Sequence, residues 1–191
     1  QNADRRRNLL LIANKLIATS TVVMNGQKHE MGQNSDGKSR VVNAFQDLIK
    51  IVYPNLRMLG NAQYSEDTIK QVIRDKQDAI FVADDTSMTE AESEILNLIK
   101  RRKKQSDRTS LNDLKTLFAR KPYGWYPNAI YTVTAKLYKR GMIEVKKDAN
   151  LLEGDSVLNA LLNSAYHANT LLEPQATFDA AMVKKLKQTY A

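Results

Sequence analysis

The chain of 191 residues contains no cysteine. That excludes a disulfide scaffold, thiol catalysis and Cys-based zinc fingers, and it suits a reducing cytoplasm. Histidine is nearly as scarce, with only His29 and His167, far apart in sequence, so a His-rich metal site has too few ligands. No apolar run approaches the roughly 18 residues a membrane helix needs. The longest N-terminal run covers residues 9–13. No signal peptide is visible, and the expected location is cytoplasmic with no membrane partner. What is present is an ordinary globular composition, 42% hydrophobic and 26% charged, which argues against wholesale disorder. The length suits one domain or two small ones. A helical pattern is already under way at Asp4 and another runs to Tyr190. The chain is therefore expected to be a piece of a longer protein, whose catalytic site need not lie in it.

Charge is unevenly placed. The formal net charge is +8, but residues 100–147 hold 14 basic and 3 acidic side chains, a local balance of +11, against 15 basic and 18 acidic elsewhere. Clustered cations attract polyanions, because neutralised phosphates release condensed counterions. A bare charge run also serves as a solubilising surface, so the local pattern must decide between the two.

Residues 4–17 place Leu9, Ile12, Ala13, Leu16 and Ile17 at helical spacing, with Leu10 and Leu11 widening the stripe, which predicts a substantially buried helix. Asn25-Gly26 between residues 21–24 and 27–31 is a strong hairpin signal. A second amphipathic helix is predicted over residues 38–59, with Val41, Phe45, Leu48, Ile49, Val52 and Leu56 on one face and Pro54 bending or ending it. Ser65 caps a shorter helix, and residues 79–82 read as a strand.

Residues 88–148 are the best-organised block. Thr89 and Glu92 form a capping box for a helix with Ala91, Ile95, Leu98 and Ile99 inward. Ser110 caps a second helix, with Asp113 in the box-partner position. The loop Lys121-Pro122-Tyr123-Gly124-Trp125-Tyr126 leads to Pro127 at the start of a third helix, ended by Gly141. Residues 142–147 then read as a strand. Three short helices and a β element describe a winged helix-turn-helix. Residues 156–172 are predicted as one more helix, stopped by Pro174. The fold class expected is α+β and predominantly helical. The expected divisions are 1–87 (helices with a β-hairpin), 88–150 (winged helix) and 151–191 (C-terminal helices).

Two stretches invite a nucleotide reading. Residues 32–39 fit G-x-x-x-x-G-K-[ST], ending in Gly37, Lys38 and Ser39, and residues 79–85 end an apolar run in acids. A working phosphate loop follows a buried strand, yet Gln27, Lys28, His29 and Glu30 precede Gly32. A buried parallel strand there would be apolar. The alternating strands and helices of such a sheet are also missing. A polar loop entering a helix is the expected structure, and Asp84 to Ser87 is expected to form the turn before the Thr89 helix.

With Ile130, Val133 and Leu137 inward, the third helix is expected to turn Asn128, Thr132, Ala135 and Lys139 outward, with Tyr131 and Lys136 on the flanks. That small, polar and basic face suits a groove-entering helix. The expected DNA-contacting set is Arg101, Arg102, Lys103, Lys104, Asn128, Tyr131, Thr132, Lys136, Lys139, Arg140, Lys146 and Lys147. Cations at the end of the first helix also suit its dipole. Without arginine on the outward face, the binding is expected to be backbone-dominated and weakly sequence-specific. Tyr123, Trp125 and Tyr126 are expected to plug the small core rather than stack on bases. The competing readings are a winged helix that contacts protein only, and nucleotide binding at Gly32 to Ser39.

Five stretches carry a resemblance: Val52-Tyr53-Pro54-Asn55-Leu56, Tyr64-Ser65-Glu66-Asp67, the helix over residues 91–99, Pro122-Tyr123-Gly124-Trp125, and Leu137-Tyr138-Lys139-Arg140-Gly141. In this order they resemble the middle region of BrxC, the large P-loop protein of bacterial BREX (bacteriophage exclusion) systems, and its relative PglY. The resemblance covers about residues 4–190. It implies a parent that binds ATP with Mg²⁺ and acts with other BREX proteins in phage restriction and host DNA methylation. The family's ATP-binding loop is expected in a domain upstream, and the resemblance supplies neither catalytic, cofactor nor metal residues here. The expected partners are DNA and other BREX proteins.

Overall fold

The computed structural model describes residues 2–32, 36–74 and 88–175. The chain divides into two compact units between Leu56 and Arg57, whereas the sequence pattern places a division at residue 87. The predicted strand over 79–82, the turn at 84–87 and the helical pattern over 180–190 lie outside the described residues.

The first unit holds α1 (Asn2–Thr19), β1 (Val22–Met24), β2 (Gln27–His29) and α2 (Gly37–Val52). Asn25 and Gly26 make the two-residue turn of the hairpin at φ 52° and 76°, with Met24 opposite Gln27. Both turn residues need positive φ, which Asn and Gly adopt most readily. α1 packs on α2, where Gly37 lets the helices approach closely: a Cβ at that position would lie 2.9 Å from the Ile17 Cβ. The expectation of a buried α1 is corrected. None of its residues is buried; Leu9, Leu10, Leu11, Ile12 and Leu16 are 58–66% exposed. Four successive apolar residues span the whole circumference of a helix, and a single neighbouring helix covers one side only. α2 ends at Tyr53, before Pro54 starts a 3₁₀ turn (Pro54–Leu59), as the restricted residue before proline dictates.

The second unit holds α3 (Glu66–Arg74), α4 (Glu90–Lys104), α5 (Leu111–Phe118), α6 (Pro127–Lys139), β3 (Ile143–Lys147), β4 (Asn150–Leu151), α7 (Asp155–Leu162) and β5 (Thr170–Pro174). Both predicted capping boxes form, Thr89 with Glu92 and Ser110 with Asp113. Pro127 opens α6 and Gly141, at φ 65°, follows its end. β3 and β4 make the wing through Asp148 and Ala149, both at positive φ.

The helix expected over 156–172 is corrected. It stops at Leu162; Asn163 turns extended, a 3₁₀ turn (Ser164–Tyr166) follows, and Leu171 and Leu172 lie in β5. β5 pairs antiparallel with β3, Val145 opposite Leu172, giving the order β4-β3-β5. Its other edge meets the stretch before α5, where the Leu172 N–H donates to Thr109 O at 2.8 Å. Strand pairing wins because alternation there buries Thr170 and Leu172 and satisfies the backbone on both edges. α6 is the central element, packed on α3, α4, α5, α7 and β3. Trp125 fills the corner between α5 and α6, its ring stacked on Phe118 at 4.6 Å and edged by Tyr123.

Candidate nucleic-acid interface

The candidate side chains separate into three groups. The first is buried. Every residue from 129 to 135 of α6 is buried, Thr132 and Ala135 completely and Tyr131 to 6% exposure. The outward face expected for this helix is therefore corrected: α3 and α7 pack on α6 and take the sides a lone three-helix unit would leave to solvent. Thr132 bonds the Asn128 carbonyl at 2.7 Å. The Tyr131 hydroxyl meets His167 Nδ1 at 3.3 Å, and burial raises the tyrosine's pKa. The Lys139 ammonium donates to the Ile73 carbonyl of α3 at 3.1 Å. The middle of the expected face is thus internal, while Asn128, Lys136 and Lys139 are half-buried at its edges.

The second group is paired within the unit. Arg140 reaches across to Glu92, 3.6 Å away, and Glu92 is fully buried at the start of α4. Lys103 and Lys146 both lie 3.1 Å from Glu173 on β5, and Lys146 also meets Glu144 at 3.0 Å. These cations tie α4 and β3 to the strand between them. The hydrogen bonds from Lys103 and then Lys146 hold the Glu173 carboxyl below its usual range, and those to Glu144 and Glu173 raise Lys146. Arg102 lies 3.4 Å from Asp113. Burial works to raise the Asp113 pKa, but the Ser110 hydrogen bonds and the Arg102 charge outweigh it, so the carboxyl sits low. Lys147 stands 3.4 Å above the Tyr166 ring, a cation–π contact.

The third group is open. Lys100, Arg101 and Lys104 are exposed on one stripe of α4, spaced i, i+1 and i+4, and Arg108 is exposed in the loop beyond. Helical spacing puts the three on one side. None of the four makes an ion pair among the described residues. Lys136 is half-buried, and Lys115, Arg120 and Lys121 surround α5 and its following loop; these too have no ion pair among the described residues. Of the expected DNA-contacting set, Arg101 and Lys104 thus remain unengaged on an open face. Sequence reasoning left Lys100 and Arg108 out of that set, although both belong to the basic run that flags the region.

The nucleotide-like stretch of the first unit fits a phosphate poorly. Residues 33–35 are outside the described residues. Asp36 caps α2, its carboxylate accepting from the Ser39 N–H at 2.8 Å and the Ser39 hydroxyl at 3.0 Å. The Gly37 N–H donates to the Asn14 side chain at 2.8 Å. A phosphate at this helix start would displace one oxygen acceptor and face a carboxylate of like charge. Among the described residues no group of three or more His, Cys, Asp or Glu is placed to hold a metal ion, and no helix is long and apolar enough to cross a membrane.

A family model described as the winged helix-turn-helix domain of the BREX ATP-binding protein BrxC matches residues 55–176, more than half of the chain and nearly the whole second unit. No solved structure matches the chain.

Proposed function

Because the chain belongs to the BrxC family of BREX proteins and carries its winged helix-turn-helix domain, we propose that this region is a non-catalytic docking module that holds DNA by its phosphate backbone. The carrying observation is the contrast between a sealed α6 and an open basic rim on α4. Thr132 and Ala135 are fully buried, so the middle of α6 offers no edge to base pairs. Lys100, Arg101, Lys104 and Arg108 are exposed and without ion pairs among the described residues. Phosphate contacts position a protein on DNA without reading sequence, so the binding is sequence-tolerant and salt-dependent. On this reading the contact is made in the cytoplasm, ATP and Mg²⁺ act outside the described residues, and other BREX proteins meet the same parent.

A salt titration of duplex DNA binding by the full chain tests this. Four phosphate contacts give a slope of log K against log salt of about −3 to −4. The variant with Lys100, Arg101, Lys104 and Arg108 changed to Glu loses binding at low salt, and scrambling the duplex sequence changes affinity by less than about threefold. Binding that survives the fourfold change, or strong preference for one sequence, contradicts the proposal. Capture of other BREX proteins with no DNA binding at low salt supports the purely protein-docking reading instead.

A further inference from the structure

The first unit carries a surface that the DNA-docking reading does not use. Leu9, Leu10, Leu11 and Ile12 follow one another at 100° intervals around α1 and are 58–66% exposed, and on α2 Val41, Val42, Phe45, Ile49 and Ile51 are 43–61% exposed. Single exposed apolar side chains are ordinary; a contiguous group marks an interaction surface. A helix turn that is apolar on every side belongs inside a helical assembly.

Charge says what covers it. A shallow groove along α1 is lined by Ala3, Arg6, Arg7, Leu10, Leu11 and Asn14, and Arg5 sits beside them. The three arginines are exposed and make no ion pair among the described residues. They form a basic collar one turn before the apolar turn. Within its first unit a second copy offers four carboxylates to meet that collar, and one of them, Asp4, sits beside the arginines on the same turn of α1. Glu30 is paired with Lys28 at 2.9 Å, Asp47 with Lys50 at 3.1 Å and His29 at 3.4 Å, and Asp36 caps α2. A parallel pair of α1 helices would also set collar against collar. A lipid surface wants a polar face opposite the apolar one, which the turn at residues 9–12 lacks. A polyanion gains nothing from the leucines.

We propose that α1 and α2 dock an amphipathic helix of a partner protein, with an apolar stripe flanked by Asp or Glu. Apolar anchors provide the affinity and the arginine collar fixes register and choice of partner.

The probe is an 18-residue fluorescein-labelled helical peptide with a leucine stripe flanked by glutamates, compared with the same peptide carrying lysines in their place. Both are titrated with the full 191-residue chain. The glutamate peptide is expected to bind, and the lysine peptide about tenfold more weakly or not at all. Leu10→Ser with Leu11→Ser, and separately Arg5, Arg6 and Arg7→Glu, each weaken the glutamate peptide by about tenfold or more. All are surface changes, so unchanged circular dichroism shows the fold is kept. Equal binding of the two peptides, or unaltered binding by both variants, overturns the proposal. So does a concentration-dependent dimer abolished by Leu10→Ser with Leu11→Ser, which makes a second copy the occupant. Leucine-dependent binding to phosphatidylglycerol vesicles overturns it in favour of a lipid surface. DNA binding through the α4 rim is untouched by these variants, so the two proposals fail separately.

Discussion

Glu92 shows how much one side chain holds. It is fully buried, and one oxygen accepts from the Thr89 N–H at 3.0 Å while lying 3.6 Å from Arg140. The other oxygen, Oε1, has no hydrogen-bond partner among the described residues. Glu92→Ala removes a cap and strands a largely buried guanidinium, so a loss of about 2–4 kcal/mol is expected in denaturant unfolding. Glu92→Gln keeps an acceptor for the cap and loses less. Trp125→Ala empties the stack on Phe118, at about 3–5 kcal/mol. His167 carries a pH signature. It is 3% exposed, with Nε2 3.0 Å from the Leu161 carbonyl. A carbonyl only accepts, so Nε2 donates and Nδ1 accepts from Tyr131. Burial lowers its pKa below 6.5, against the opposing Leu161 hydrogen bond and with help from Lys115. The unfolded chain therefore binds the proton more readily. Stability rises with pH between the lowered value and about 6.5 and is level above it. His167→Gln should flatten the change in melting temperature between pH 5.5 and 7.5. An unaltered slope contradicts this account of the neutral imidazole.

At the scale of elements, Gly37 separates two uses of one motif. A Cβ there meets the Ile17 Cβ at 2.9 Å and the Asn14 carbonyl at 3.0 Å. Gly37→Ala should therefore destabilise the first unit by about 1–3 kcal/mol, while Lys38→Ala, on an exposed side chain, leaves its melting unchanged. The wing turn offers the opposite sign. Ala149 is held at φ 65°, which costs an alanine about 1 kcal/mol, so Ala149→Gly should raise stability by about 0.5–1 kcal/mol. That turn also marks where sequence reading runs out. Asn25-Gly26 announces its hairpin, whereas Asp148-Ala149 does not, because Ala is strained in the same conformation. Caps, Pro127 and Gly141 are local signals, and α4, α5 and α6 are legible from them. β5 is not, because residues 156–172 have apolar spacing compatible with a continuing helix. Only the edge of β3, distant in sequence, makes extended backbone the better solution. The buried face of α6 fails for the same reason: periodicity identifies one apolar side, and only the packing of α3 and α7 on α6 accounts for the burial of Thr132 and Ala135 as well.

For the molecule as a whole, the net charge of +8 resolves into local arrangements. Residues 57–175 contain 18 basic and 16 acidic side chains, a balance of +2, although the basic run within them stands at +11. Glu92 and Glu173, outside that run, neutralise Arg140, Lys103 and Lys146. The basic run is legible in the sequence, but how much of it stays unpaired is not, since pairing is a tertiary property. What remains open is a rim at the end of α4, with Arg120 and Lys121 exposed after α5; its field is effective at short range and weakened by salt. The most direct test is lysine acetylation footprinting of the full chain with and without duplex DNA at low salt. The account predicts that DNA protects Lys100 and Lys104 and leaves Lys139 and Lys146 unchanged. Protection of Lys136 and Lys139 with Lys100 and Lys104 unaffected would contradict it, by showing that α6 opens to read the groove.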